Sequence, residues 1–317
     1  MKCNYENIIS LILLSLIILL IIYSCSSVSI ENFEDKFDDF EKYEELYDDQ
    51  FVDLYEIIYR DYSDIDFDTK IVYSHVMNNI KNNNDPNILV CGSGIGKLCK
   101  KIKEKYKNVL GVDISENMLK KSQTLFPNIK FIRGNIVKEK IFEKSQFTHI
   151  YVDERTLYYN NLKDQEEIIK NIFLWLKPEG YFIINIYNPD KLQLASRYYS
   201  SNYIDDKGNK HGFTYLNDFS HDCYYIKDEE NSNSNSNSNI YNYYDKAIFD
   251  TGDKRIKKTT FYIPPKEKIY DIILNNGFDV VHIENIRTQV VGGYELAIFK
   301  KKKNIITVEE LEKKNND

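Results

Sequence analysis

The sequence predicts an α/β fold, a doubly wound, mostly parallel sheet with helices on both faces. Three observations carry that expectation. From Asn87 onward, short apolar runs alternate with stretches of helical period, the pattern of repeated βα units joined by right-handed crossovers. A glycine-rich turn, Gly92-Ser93-Gly94-Ile95-Gly96, follows the first apolar run and opens a helix. An acid, Asp113, ends the second run, 21 residues after Gly92.

The chain of 317 residues is long enough for one large domain with insertions. Apolar residues make up 42% and charged residues 29%, enough apolar content to build a core. Lys+Arg 42 against Asp+Glu 49 gives a net charge of -7. That balance argues against a sequence-independent nucleic-acid binder, which needs a basic face to neutralise phosphates.

Residues 8–23 read IISLILLSLIILLIIY, without a charge. As a helix they span about 24 Å, and residues 8–28 reach the length of a membrane span. The segment is expected to be a single-pass N-terminal membrane anchor. The alternative is a signal peptide, with Ser24 and Ser26 before a cleavage point and a secreted or luminal product. Lys2 before the segment and Glu31, Glu34 and Asp35 after it favour an inside N-terminus. Against translocation, no Asn is followed two positions later by Ser or Thr, so the chain has no glycosylation acceptor.

Residues 31–86 are expected to form a helical region. Phe33, Phe37, Phe40, Tyr43 and Tyr47 recur at helical steps, and Phe51, Leu54, Tyr55, Ile58 and Tyr59 continue them. They suit one or two amphipathic helices that pack on a core or close as a lid over a ligand. Ile71 to Ile80 reads as another helix, which Asn82 to Pro86 breaks.

Residues 87–187 hold the repeated units. Strands are expected at Asn87–Cys91, Val109–Val112, Ile129–Arg133, Phe147–Val152 and Tyr181–Ile186. Helices are expected at Gly96–Tyr106, Glu116–Leu125 and Gln165–Leu176, the second capped by Ser115 and the last stopped by Lys177 to Gly180. Residues 188–265 differ in being polar and Tyr-rich, a β-rich insertion with strands at Asp222–Ile226, Asn239–Phe249 and Lys257–Ile263. Within it, the alternating Asn/Ser run 231–239 reads as a disordered loop. Residues 266–303 return to the main pattern, with a helix at Lys266–Asn275 and strands at Asp279–Glu284 and Tyr294–Lys300. Residues 304–317 are a polar tail.

The chemistry concentrates at the glycine turn. Glycines permit a tight bend and let a ligand approach the backbone, and a following helix start favours negative groups. Asp113 lies at the distance expected of an acid that grips ribose hydroxyls, and its two oxygens can accept from two neighbouring hydroxyls. Together they predict an adenosine-type cofactor at the switch point of the sheet. Dinucleotide sites favour G-x-G-x-x-G, whereas here Lys97 stands where a third glycine would be. A nicotinamide-dependent oxidoreductase is the lesser alternative.

The pattern resembles the class I S-adenosylmethionine-dependent methyltransferases. Besides the turn, Phe131 to Asn135 (FIRGN) resembles the family's third-strand motif, and Phe147 to Asp153 (FTHIYVD) its fourth strand. Trp175 to Ile184 (WLKPEGYFII) resembles its turn into strand five, and the final helix, Asn-Gly-Phe turn and two strands match its usual finish. The resemblance implies a seven-stranded sheet with an antiparallel last strand and S-adenosyl-L-methionine as cofactor. It implies cofactor contacts from Gly92, Ser93, Gly94, Gly96, Asp113, Ile114, Asn135, Ile136 and Asp153. Catalytic candidates lie at the end of the fourth strand, Asp153 and Tyr158 first, beside Glu154, Arg155 and Tyr159. The chain departs from the family pattern at Val90, where an acid is usual, and at Asn135 and Thr148, where Asp is common.

Methyl transfer from a sulfonium is an in-line displacement, so the protein chiefly supplies proximity and orientation. The acceptor is expected to be a small molecule or a protein. A catalytically weak module that binds S-adenosyl ligands is the main alternative. The cysteines (Cys3, Cys25, Cys91, Cys99, Cys223) and five histidines are scattered, with no zinc spacing, so no metal is expected. Neither a Ser/His/Asp nor a Cys/His hydrolase arrangement is present. Oligomeric state is not legible at this level.

Overall fold

The first element is β1 (Asp38–Asp39), two residues that pair in parallel with a strand more than two hundred positions later, at Lys257 and Lys258. Helix was expected here; the strand partner lies too far along the chain for any local period to reveal it. A computed structural model of the chain describes residues 38–39, 47–58, 70, 86–138, 141–153, 155–189, 201–204, 210–216, 219–228, 239–252, 254–286 and 294–303. Residues 8–28, the helix expected over Ile71–Ile80, Glu154, most of the Asn/Ser run and the tail lie outside the described residues. Among the described residues, no helix is long and apolar enough to cross a membrane.

Helix α1 (Asp49–Ile58) buries Val52 and Leu54. Next comes β2 (Asn87–Cys91), whose Ile88, Leu89, Val90 and Cys91 are all buried, the mark of a parallel strand covered on both faces. Helix α2 (Lys97–Lys103) is shorter than the expected span and buries Leu98, Cys99 and Ile102. Strand β3 (Asn108–Asp113) leads to α3 (Glu116–Leu125), capped by the Ser115 hydroxyl, which accepts from the Met118 N–H at 3.3 Å. Strands β4 (Lys130–Arg133) and β5 (Phe147–Val152) follow, then a 3-10 turn at Thr156–Tyr159 and α4 (Leu162–Trp175). Helix α4 ends at Trp175, and Leu176 already pairs with Phe147 as the start of β6 (Leu176–Tyr187). The register then shifts, so that residues 177–180 bulge out before Tyr181 meets His149.

Five strands make a second sheet: β7 (Ser201–Ile204), β8 (Lys210–Leu216), β9 (Phe219–Lys227), β10 (Asn239–Phe249) and β11 (Lys254–Ile263). With β1 they are ordered β1-β11-β10-β9-β8-β7, antiparallel except at β1. Strands β7 and β8 have no counterpart among the sequence expectations. Helix α5 (Lys266–Asn275), β12 (Phe278–Ile286) and β13 (Tyr294–Lys301) close the chain.

The main sheet has seven strands in the order β12-β13-β6-β5-β2-β3-β4. All pair in parallel except β13, which runs antiparallel to both β6 and β12. This is the expected seven-stranded, mostly parallel sheet with an antiparallel last strand. Chain order reverses between β2 and β5, so the switch point lies at their carboxyl ends, where open α/β sheets bind ligands.

The second sheet shares the main core through Tyr241, Tyr243, Phe261 and Ile263. Its buried face also carries charge. Asp245 accepts from Arg255 Nη1 at 2.8 Å and pairs with His221 Nε2 at 2.9 Å, and all three side chains are at most 3% exposed. Burial pushes the Asp245 carboxyl up, but the His221 and Arg255 charges outweigh it and hold the carboxyl below the ordinary carboxylate range. Arg255 Nε also faces Asp48, next to α1, at 3.6 Å.

Candidate active site

The site begins where β2 ends. The N–H groups of Gly92 and Ser93 both donate to the Val112 carbonyl, at 2.9 and 3.0 Å, tying the turn to the neighbouring strand. Gly92 has φ +73°, and a Cβ there would sit 1.7 Å from the Thr156 hydroxyl, so only glycine fits. Gly94, at φ +51°, has open space where a Cβ would be. A ligand can therefore reach its backbone. Ser93 is buried, and its hydroxyl has no hydrogen-bond partner.

Asp113 faces this turn. Its Oδ2 accepts from the Gly94 N–H at 2.8 Å and its Oδ1 from the Ser115 N–H at 2.9 Å. Burial pushes this carboxyl above the ordinary carboxylate range, against the pull of the Ser115, Gly94 and Ile114 N–H groups. Each oxygen keeps a lone pair for a further donor.

Asp153 stands just beyond β5, with its N–H on the Cys91 carbonyl at 3.0 Å and its own carbonyl accepting from the Thr156 N–H at 3.1 Å. The third flank comes after β4, where Gly134 and Ile136 reach the cleft. Asn135 between them spends its side-chain oxygen on the Val137 N–H at 2.9 Å, which leaves its amide NH2 as the donor.

Helix α1 covers the fourth side. Val52 packs with Ile95 and Met118, and Lys121 on α3 pairs with Asp53 at 2.9 Å and Glu56 at 2.6 Å. The Asn117 side chain donates to the Tyr47 carbonyl at 3.1 Å. The Tyr47 and Tyr159 hydroxyls meet at 2.5 Å. Arg155 lies over the rings of Tyr243 and Phe261 in the second sheet, 5.7 and 5.8 Å from their centroids.

These elements enclose a cleft of about 680 Å³, open mouth included. Of the site residues named from the sequence, it brings together Gly92, Gly94, Asp113, Ile114, Ile136 and Asp153, with Arg155 and Tyr159 from the catalytic candidates. Ser93 lines an adjoining hollow. Gly96 caps α2 in left-handed geometry, and neither it nor Asn135 lines either space.

Tyr158 departs from its proposed catalytic place. It is 1% exposed, its hydroxyl donates to the Asn185 carbonyl at 3.2 Å, and that hydroxyl accepts from the Tyr187 N–H at 3.2 Å. It braces the end of β6, while its neighbour Tyr159 faces the cleft. Sequence reasoning did not single out Met118, Gly134 or Thr156, which also line it. Only the demand of Gly92 for an absent side chain hinted that something like Thr156 lay against the turn.

Residues 88–180 match the methyltransferase domain family. This chain carries a class I methyltransferase domain. The cofactor of that class is S-adenosylmethionine, and the open Gly94 face and the donor-hungry Asp113 fit its nucleoside. The chain is 28% identical over 144 residues to the phosphoethanolamine N-methyltransferase of Plasmodium falciparum, a match covering 44% of this chain and 53% of that protein. It is 25% identical over 101 residues to phosphoethanolamine N-methyltransferase 1 of Triticum aestivum, covering 31% of this chain and 20% of that one. The chain thus spans about half, or less, of the curated relatives it matches. In fold it is similar to an S-adenosylmethionine-dependent methyltransferase from Clostridium acetobutylicum, with a TM-score of 0.59, 18% identity, and coverage of 80% of this chain and 98% of that one. A solved amino pentose methyltransferase from Micromonospora echinaspora gives a TM-score of 0.59 at 11% identity, covering 78% and 97%.

Proposed function

We propose that this protein transfers a methyl group from S-adenosylmethionine to a small acceptor bearing an amine. One observation carries the transfer reading: the glycine turn and Asp113 face each other across one cleft at the switch point of the sheet. Bound there, the cofactor supplies an electrophilic methyl on a sulfonium that carries its own leaving group. The chain supplies position. Asp113 and the turn orient the nucleoside, and Tyr47, Tyr55 and Tyr159 wall the cleft against water.

Support for a small acceptor comes from the mouth, where the Tyr47–Tyr159 contact closes one side. Support for an amine comes from the names of the relatives, phosphoethanolamine N-methyltransferases. Arg155 at the same mouth offers a cation to an anionic group on the acceptor. Residues 8–28 stand in this reading as a membrane tether, on the strength of their uncharged run alone.

The test is transfer of a tritiated methyl group from S-adenosylmethionine to a panel of phosphorylated and plain amines, with hydroxy compounds as controls. Incorporation into the amines is the expected result. S-adenosylhomocysteine binding without turnover on any acceptor supports the second reading, a binding module, which Val90 favours by leaving β2 without its usual acid.

A further inference from the structure

Helix α4 carries an amide on its core face. Ile168, Ile172 and Trp175 are fully buried there, and Asn171 shares their stripe, one turn after Ile168 and one turn before Trp175. Asn171 is itself 3% exposed. Burying a primary amide is costly unless its hydrogens find acceptors, and packing alone would favour an apolar residue at this place. Both hydrogens are used. The Asn171 Nδ2 donates to the Ile136 carbonyl at 3.0 Å and to the Val137 carbonyl at 2.9 Å.

Those carbonyls belong to the loop after β4, the third flank of the cleft. The loop starts pinned, with the Gly134 N–H on the Asp113 carbonyl at 2.9 Å. The peptide that joins Ile136 to Val137 is then held at both poles. Its carbonyl accepts from Asn171, and its N–H donates to the Asn135 side-chain oxygen at 2.9 Å. A peptide unit is planar, so holding both poles fixes the backbone beside Ile136 and the direction of its side chain. Ile136 lines the cleft from the end of β4, as Ile114 does from the end of β3. Asn171 stands behind that wall and touches the loop from α4.

A flat base is held between apolar side chains by many weak contacts, and a gap of about 0.5–1 Å forfeits a quarter to a half of each. We infer that Asn171 is a positioning residue for the cofactor: from α4, outside the cleft, it sets Ile136 at the distance the base requires. This rests on reading the cleft as the nucleoside site. Part of the affinity for the cofactor then resides in a helix that never meets it.

Calorimetry on the full chain with S-adenosylhomocysteine tests it. Asn171→Leu removes both donors at nearly unchanged size. Asn171→Ser is too short to reach the loop and leaves room for water, so it serves if the first variant does not fold. Loss of the two bonds should weaken binding about fivefold or more. Ile136→Ala, made from the cleft side, should weaken it by a similar factor. Because Asn171 acts through Ile136, the double variant should be within about twofold of the weaker single one, whereas independent losses multiply. Unchanged affinity in the Asn171 variants overturns the inference, as do factors that multiply, which make Asn171 a support of the fold alone. Failure of the unaltered chain to bind S-adenosylhomocysteine instead removes the nucleoside site, and the inference with it.

Discussion

Two aspartates, one buried in the second sheet and one half-buried at the cleft, meet opposite electrostatic settings. Asp245, in the second sheet, is matched by Arg255 and His221 and sits below the ordinary carboxylate range. Asp113, in the cleft, is half-buried, its partners are neutral N–H groups, and desolvation drives its carboxyl upward. One carboxylate is neutralised by its own fold. The other is held ready for donors that the fold does not provide. A buried acid with cationic partners is architecture; a desolvated acid left short of them, facing a cleft, marks a ligand site.

The largest effect is expected where neutralisation is complete. Asp245→Ala removes the buried carboxylate between Arg255 and His221 and leaves Arg255 the outlying Asp48 at 3.6 Å, at a cost of about 3–5 kcal/mol, and thermal unfolding should show a large fall in melting temperature. The pH dependence has a definite sign. Because the folded carboxyl is lowered, its stabilisation is full above the unfolded value of about 3.9 and is lost as pH falls through the lower folded value. Acid unfolding of the parent should therefore steepen there, and the variant should lack that step. A small stability change in Asp245→Ala breaks the comparison at its first term.

The second effect falls on binding. Asp113→Asn should weaken S-adenosylhomocysteine at least tenfold in calorimetry, because ribose hydroxyls lose charged acceptors. Stability should change by no more than about 1 kcal/mol, the amide losing one N–H bond while relieving a buried charge. The sign here is opposite to that of Asp245. A raised folded carboxyl contributes stability that is full below the unfolded value and lost as pH rises through the folded one. Donors from the ligand favour the charged form, so affinity should climb as pH rises through the raised value. Affinity flat across that range counts against Asp113 as the ribose acceptor.

The sequence revealed the Asp113 half of this comparison far better than the Asp245 half. Buried parallel strands write themselves as continuous apolar runs, and Asn87–Cys91 and Phe147–Val152 match their elements end to end. Gly92, Gly94 and Asp113 announced themselves through spacing because turn and acid belong to adjacent strands. His221, Asp245 and Arg255 come from three different strands, and only the pairing of β9, β10 and β11 assembles them. Strands β7 and β8 likewise depend on each other and on β9 rather than on any local period. Tyr158 and Tyr159 are neighbours of identical chemistry, and the 3-10 turn decides which one meets the cleft.

The smallest effect is expected from removing the polar run that joins two strands of the charged sheet. Asn239 already pairs with Ile263, so the excision covers Asn231 to Ser238. The Asp228 N–H donates to the Ile240 carbonyl at 2.8 Å, and Glu229, Glu230 and Asn239 then bridge that pair. Three-residue hairpin loops use a turn followed by a left-handed residue, a place that Asn tolerates. Loop closure changes by only about 0.6 kcal/mol per halving of length. The melting temperature should therefore move by less than about 2 °C, the low end of what 1 kcal/mol does to a domain of this size. A drop approaching that of Asp245→Ala would mean that the run, and not the buried charge cluster, holds β9 against β10.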